Sequence, residues 1–254
     1  MQHIGFNQRH PYLFVGILEA TVVGAFIIAG ALTKWLRMPQ QMLYGIGFII
    51  LTVISLILLT RMRCWKEVGF RPLGMYHLLW LPALPMIVTV YEALSGEGGL
   101  VGGNIMWRIM GMTALNGFAE EVLYRGLMLR ALAWKGIWRA VIITSLIFAI
   151  THSLNTLTGW SSERVLWQLC YSFAFGFGWA AFALRTGTIW PLILIHFLNN
   201  FFSLCRAGSI VQTGEVSTVS QVVMALYTVA FIAYGVIVTR SYIKTQGGHA
   251  EQTS

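Results

Sequence analysis

Eight long apolar runs constrain the fold of this chain more than any other feature. Each run has roughly 17–25 residues, which is enough for a helix to cross the hydrocarbon core of a bilayer. Only 10% of the residues are charged and 57% are hydrophobic, whereas a soluble domain has about 25% charged residues. We therefore predict an all-α polytopic membrane protein, a bundle of about eight transmembrane helices. The runs fall near 12–32, 42–60, 76–94, 105–129, 138–154, 166–184, 188–205 and 219–239.

The distribution of the 17 basic residues predicts the orientation of the bundle. With eight spans, both termini lie on one side of the membrane. The loops and termini of that side hold Arg9, Arg61, Arg63, Lys66, Arg71, Arg130, Lys135, Arg139, Arg185, Arg240 and Lys244. The opposite side holds only Lys34, Arg37, Arg164 and Arg206. This asymmetry predicts cytoplasmic termini by the positive-inside rule. It also attributes the net charge of +8 to contact with membrane lipid, so we expect no nucleic-acid partner.

The chain lacks a linker long enough to separate two folded domains. We predict a single transmembrane catalytic domain over 1–245, with its core motifs in 116–200, and a disordered cytoplasmic tail over 246–254. Residues 95–103 and 155–165 are predicted to form loops on the outer side. Glu19 interrupts the first apolar run, and we expect it at the interface or facing a cavity.

An acidic motif, "NGFAEEVLYRGLMLRAL" at 116–132, lies inside the fourth apolar run. On a helix, Glu121 and Arg125 are four residues apart with the acid first, which favours an ion pair. Glu120 is rotated by about 100° from Glu121 and shares a face with Asn116 and Tyr124. Glu120 therefore has no partner cation in its own helix and is a candidate general base. A buried structural ion cluster is the alternative interpretation.

Two later runs carry histidines. His152 ends the motif "FAITH", and His196 and Asn200 lie four residues apart in "HFLNN". Counted from the basic residues at the span ends, Glu120, His196 and His152 lie at depths of roughly 15, 16 and 20 Å at 1.5 Å per residue. Three neighbouring helices could bring these side chains into one polar intramembrane cavity. Packing histidines and an asparagine that joins two helices are the alternative.

Taken together, these motifs resemble the signature of the CPBP family, the CAAX proteases and bacteriocin-processing or self-immunity (Abi) proteins. The matching residues, in order, are Glu120, Glu121, Arg125, Phe148, His152, His196 and Asn200. The resemblance covers residues 116–200 and implies an intramembrane endopeptidase with around eight spans. It implies a membrane-associated peptide or protein as substrate, with or without a prenyl group, and it suggests the prokaryotic plasma membrane as the location.

The resemblance also implies a role for each motif residue. Glu120 and His152 would activate a water molecule, and His196 and Asn200 would stabilise the oxyanion. Glu121 and Arg125 would hold the site in shape.

Three alternatives to this mechanism stay open at this point. The first is a zinc protease with Glu120, His152 and His196 as ligands. We favour a metal-free site, because no H-E-x-x-H helix is present and Asn200 is a poor zinc ligand but a competent donor. The second is a transporter, although we find no duplicated pair of Gly/Pro-broken helices. The third is a non-enzymatic immunity scaffold.

Overall fold

A computed structural model of the chain describes residues 9–40, 42–95, 100–158, 160–205 and 218–251. These residues form helices and no β-strand, which confirms the all-α prediction. Every predicted apolar run corresponds to a helix. The helices are α1 Pro11–Trp35, α2 Met42–Arg61, the short α3 Trp65–Val68, α4 Trp80–Ser95, α5 Gly103–Glu120, α6 Leu129–Ala133, α7 Ile137–Thr151, α8 Ser162–Thr186, α9 Trp190–Cys205 and α10 Thr218–Glu251.

Length and hydropathy identify membrane-crossing helices directly. Within the described ranges, five helical segments are long and apolar enough to cross a bilayer: Pro11–Trp35, Met42–Arg61, Ile137–Thr156, Ser162–Thr186 and Gln221–Gln246. Tyr76–Tyr91 and Trp190–Cys205 are shorter apolar helices. Helix α5 is more polar, because it carries Asn104, Arg108, Asn116 and Glu120 within 18 residues. The chain is therefore an integral, polytopic membrane protein.

The backbone of the acidic motif departs from the uninterrupted α-helix that the sequence predicts. Helix α5 continues as a π-helix over Glu121–Met128 and returns to α-helical geometry in α6. All eight side-chain positions of this π-helix are buried, so apolar periodicity along one face cannot reveal its geometry. At Gly126, an added Cβ would clash with the Val68 side chain of α3. Wide π-turns are rare and occur frequently at functional sites.

Small residues let the helices around the site approach closely. A Cβ at Gly117 would lie 3.0 Å from the Ile193 carbonyl oxygen and 3.0 Å from the Phe197 nitrogen. Helices α5 and α9 therefore touch almost backbone to backbone, one turn before Glu120. In α8, Gly176 lies against Ser145 of α7, and Gly178 lies against Phe231 of α10. This is the close packing that small residues permit between membrane helices.

Three segments between and beyond the helices differ from their sequence prediction or lie partly outside the described residues. The predicted loop 155–165 is mostly ordered: a 3₁₀ helix spans His152–Thr158, α8 begins at Ser162, and Asn155 donates to Gln168 at 2.7 Å. Of the loop 95–103, residues 96–99 lie outside the described ranges. The segment predicted as a disordered tail is helical up to Glu251, since extending a formed helix costs little per residue, and 252–254 are not among the described residues.

Candidate active site

Glu121 is the centre of a buried polar cluster between the π-helix and α9. Its side chain has no exposed surface, and its Oε1 atom accepts from Arg125 Nη1 at 3.1 Å. This is the ion pair that the four-residue spacing predicts. The same Oε1 lies 2.9 Å from His196 Nδ1. A carboxylate paired with arginine is an acceptor, so His196 donates its Nδ1 proton to Glu121.

Arg125 is held by aromatic rings as well as by charge. Its guanidinium carbon lies 4.0 Å from the centroid of the Phe148 ring and 5.5 Å from that of Trp179. Cations at such distances are attracted by the ring quadrupole. The Trp179 ring also packs edge-on against His196, with centroids 5.4 Å apart. Arg125 therefore joins α7, through Phe148, and α8, through Trp179, to the helix that carries the acidic motif.

Glu120 has a different environment from its neighbour. Its Oε2 atom lies 3.7 Å from His196 Nε2, on the opposite edge of the imidazole from Glu121. This oxygen is buried and has no hydrogen-bond partner in the structure, and neither has Asn116 Oδ1 one turn earlier. Buried polar atoms in proteins are nearly always hydrogen-bonded, so each exception needs an explanation. Water or substrate at Glu120 would supply the missing partner.

His152 is the first residue after α7, where the backbone changes to the 3₁₀ helix. Its Nδ1 lies 2.8 Å from the Phe148 carbonyl oxygen, which can only accept, so Nδ1 carries the proton. The neutral ring then presents the lone pair of Nε2 as its free acceptor. The Phe148 and His152 rings are in edge contact, with centroids 4.8 Å apart.

The structure thus brings together five of the six candidate residues. Glu120, Glu121, Arg125 and His196 are joined by direct contacts. His152 joins them through Phe148, and it interacts electrostatically with His196 and Arg125.

The two asparagines of α9, Asn199 and Asn200, lie in different surroundings. Asn200 is half-buried, one turn beyond His196, and its oxyanion role stays a prediction. Asn199 instead accepts from Thr89 of α4 at 3.0 Å, which joins two helices.

The donor set of the site includes the oxygen and nitrogen ligands that zinc takes. In the part of the chain that the structure describes, however, no group of three or more His, Cys, Asp or Glu side chains is arranged to hold a metal ion. As arranged, Glu120, His152 and His196 do not fit a three-ligand zinc centre, so no step below involves a metal.

Sequence reasoning missed two features of the site. Glu19 of α1 accepts hydrogen bonds from Tyr124 and Thr151, and Trp179 packs on both Arg125 and His196. A carboxylate inside an apolar run signals an interior role for Glu19, but its partners are more than 100 residues away in sequence. Nothing in the sequence distinguishes Trp179 from the other tryptophans.

The fold and the site define a polytopic helical membrane protein with a buried cluster of carboxylates, histidines and an arginine. Residues 102–202 match the family model described as type II CAAX prenyl endopeptidase Rce1-like. The match contains all the motif residues and confirms, over this segment, the relationship to the CAAX protease family. The description of the matching family is that of an endopeptidase, so it supports an intramembrane protease function in general terms. Comparison with curated proteins and with solved structures gave no match.

Proposed function

We propose that this protein is an intramembrane endopeptidase that hydrolyses a peptide bond of a membrane-associated peptide or protein. The observation that carries the proposal is the asymmetry of the two glutamates. Glu121 accepts from both Arg125 and His196 through its Oε1 atom, although its Oε2 has no partner. Glu120 has only the longer contact of 3.7 Å between its Oε2 and His196 Nε2, and that oxygen accepts no hydrogen bond. A paired carboxylate organises a site, and an unpaired one is available to take a proton.

In the proposed reaction, Glu120 and His152 activate one water molecule. The water donates hydrogen bonds to the Glu120 carboxylate and to the Nε2 lone pair of His152. Its oxygen then attacks the scissile carbonyl carbon while one of its protons moves to Glu120. Collapse of the tetrahedral intermediate breaks the C–N bond, and Glu120 passes its proton to the departing nitrogen. The products are one new carboxyl terminus and one new amino terminus.

His196 and Asn200 stabilise the oxyanion in this scheme. Because His196 already donates from Nδ1 to Glu121, only its imidazolium form presents a second N–H, at Nε2, to the intermediate. Asn200 adds an amide N–H from the next turn of α9. Donors aimed at a developing oxyanion commonly give the largest single contribution to catalysis.

The proposal also includes a substrate class and a cellular location. A buried intramembrane cluster is reached most readily by a substrate that partitions into membrane lipid, with or without a prenyl group. We place the protein in the prokaryotic plasma membrane with both termini in the cytoplasm.

A matched pair of peptides tests the activity and the substrate class together. Two internally quenched peptides of the same sequence, one with S-farnesylcysteine three residues from its carboxyl terminus and one with free cysteine, are offered to purified protein in liposomes. We expect the farnesylated peptide to be cleaved faster. Equal rates would show that the enzyme does not recognise the prenyl group. Folded protein that cleaves neither peptide would argue against the proposed activity.

Elemental analysis tests the metal-free mechanism. Purified, active protein should contain far less than one equivalent of zinc and should keep its cleavage rate after prolonged chelation and buffer exchange. Stoichiometric zinc, with activity lost on chelation and restored by added zinc, would replace the proposed mechanism by metal-assisted hydrolysis.

Reporter fusions test the orientation. A reporter fused after Lys244 should be active only in the cytoplasm, and one inserted in the loop 95–103 only on the outer side, because basic residues favour cytoplasmic loops. If both fusions report the same compartment, the predicted topology is wrong.

A further inference from the structure

We propose that Glu19 of α1 is a positioning residue for His152, acting through the side chains of Thr151 and Tyr124. This inference rests on the proposed function. It extends the site to a helix outside the segment 102–202 that matches the family model.

The contacts of Glu19 form a closed triangle between three helical segments. Its Oε1 accepts from the Thr151 hydroxyl at 2.6 Å, and its Oε2 accepts from the Tyr124 hydroxyl at 3.1 Å. The two hydroxyl oxygens are themselves 2.9 Å apart. One carboxylate of α1 thereby fixes the π-helix and the end of α7 relative to each other.

The Glu19 carboxylate changes the acceptor to which the Thr151 hydroxyl donates. A threonine in a membrane helix ordinarily donates to the carbonyl four residues earlier, and here Ile147 O is within reach at 2.9 Å. The hydroxyl has a single hydrogen, and the contact with Glu19 is the shorter of the two. A charged acceptor also makes the stronger bond. Glu19 therefore holds Thr151 at the point where α7 ends.

The triangle supports His152 from two sides. Thr151 directly precedes His152 at the junction between α7 and the 3₁₀ helix. The Tyr124 ring packs edge-on against Phe148, with centroids 5.1 Å apart. Phe148 in turn holds His152 through its carbonyl oxygen and its ring. A shift of either hydroxyl would therefore move the imidazole that orients the water.

The burial cost of Glu19 favours such a role over simple packing. Within the described residues, Glu19 is in no ion pair with a cation, and a charged group in a transmembrane segment is costly. An apolar side chain would pack α1 against α7 at lower cost. Glu19 also interacts electrostatically with Glu120, the proposed general base.

Four variants of purified full-length protein test the inference: Glu19→Ala, Glu19→Gln, Thr151→Val and the double variant Glu19→Ala/Thr151→Val. Displacement of a catalytic group by about 1 Å can cost a factor of about 100, so kcat of Glu19→Ala should fall about 10- to 100-fold with little change in KM. Glu19→Gln should recover most of kcat, because its amide accepts from Thr151 and donates to Tyr124. The double variant should be no slower than the slower single variant, since both break one network.

Thr21→Val is the matched control, because Thr21 is on the same helix and its hydroxyl donates within that helix, to Ile17 O at 2.8 Å. A kcat for Glu19→Ala equal to that of Thr21→Val, or additive losses in the double variant, would overturn the inference. A second measurement tests the positioning role independently of cleavage. It is the rate at which diethyl pyrocarbonate modifies His152, followed by mass spectrometry. That rate should rise in Glu19→Ala and Thr151→Val but not in Thr21→Val, whether or not Glu120→Gln abolishes cleavage. An unchanged modification rate in both variants would overturn the positioning role.

Discussion

Arg125→Ala should lower the free energy of unfolding by about 3–5 kcal/mol, the typical cost of removing one partner from a buried ion pair. Arg125 and Glu121 are 2% and 0% exposed, so the substitution would leave the buried Glu121 carboxylate with His196 as its remaining hydrogen-bond partner in the described residues. The variant would also lose the cation–π contacts with Phe148 and Trp179. We expect a lower melting temperature in detergent together with a loss of cleavage.

Two further variants separate this explanation from a general effect of losing an arginine. Arg108→Ala removes an exposed arginine from the preceding helix and should leave the melting temperature unchanged. Adding Glu121→Gln to Arg125→Ala removes the unpaired charge and should recover part of the stability. A melting temperature of Arg125→Ala equal to that of wild type would contradict the structural role of Arg125.

Glu120→Gln should reduce the cleavage rate by about 10²–10⁴-fold, the range that a general base typically contributes. The amide is nearly the same size but cannot accept the proton of the attacking water. Glu120 Oε2 has no hydrogen bond in the structure, so the substitution breaks none and the melting temperature should stay close to that of wild type. The measurement is cleavage of the quenched peptides alongside thermal unfolding of the same preparation.

The contrast between the variants is the informative result. Arg125→Ala should lose stability and activity together, whereas Glu120→Gln should lose activity alone. Glu163→Gln, at an exposed position near the start of α8, is the control for replacing a carboxylate and should cleave at the wild-type rate. If Glu120→Gln cleaves at the wild-type rate, Glu120 is not the general base.

Local sequence spacing predicted the parts of the site that lie within one helix. The interval of four residues between Glu121 and Arg125 gave their ion pair. The apolar runs predicted the helices because hydrocarbon thickness sets their length.

Contacts between helices could not be predicted in this way. The bond between Glu121 and His196 spans 75 positions, and that between Glu19 and Thr151 spans 132. Such contacts depend on which helices are neighbours and on their rotation about their own axes. In membranes, small residues and buried polar groups decide both. Gly117, which lets α5 approach α9, shows how one missing side chain determines such a contact.

The π-helix was unpredictable for a different reason. Helix periodicity is read from the alternation of apolar and polar faces, and the segment Glu121–Met128 is buried on every side. The segment therefore has no exposed polar face whose spacing in the sequence would indicate the number of residues per turn.

Hydrolysis in water enriched in ¹⁸O tests the central claim most directly. Purified wild-type protein in liposomes is incubated with a pool of S-farnesylated and unmodified peptides and a native membrane extract, and the products are identified by mass spectrometry. The proposed mechanism predicts new termini from cleavage of single internal bonds, with ¹⁸O in each new carboxyl group and no such products with Glu120→Gln. Folded wild-type protein that yields no labelled product from any member of the pool, or the same labelled products with Glu120→Gln, would contradict it.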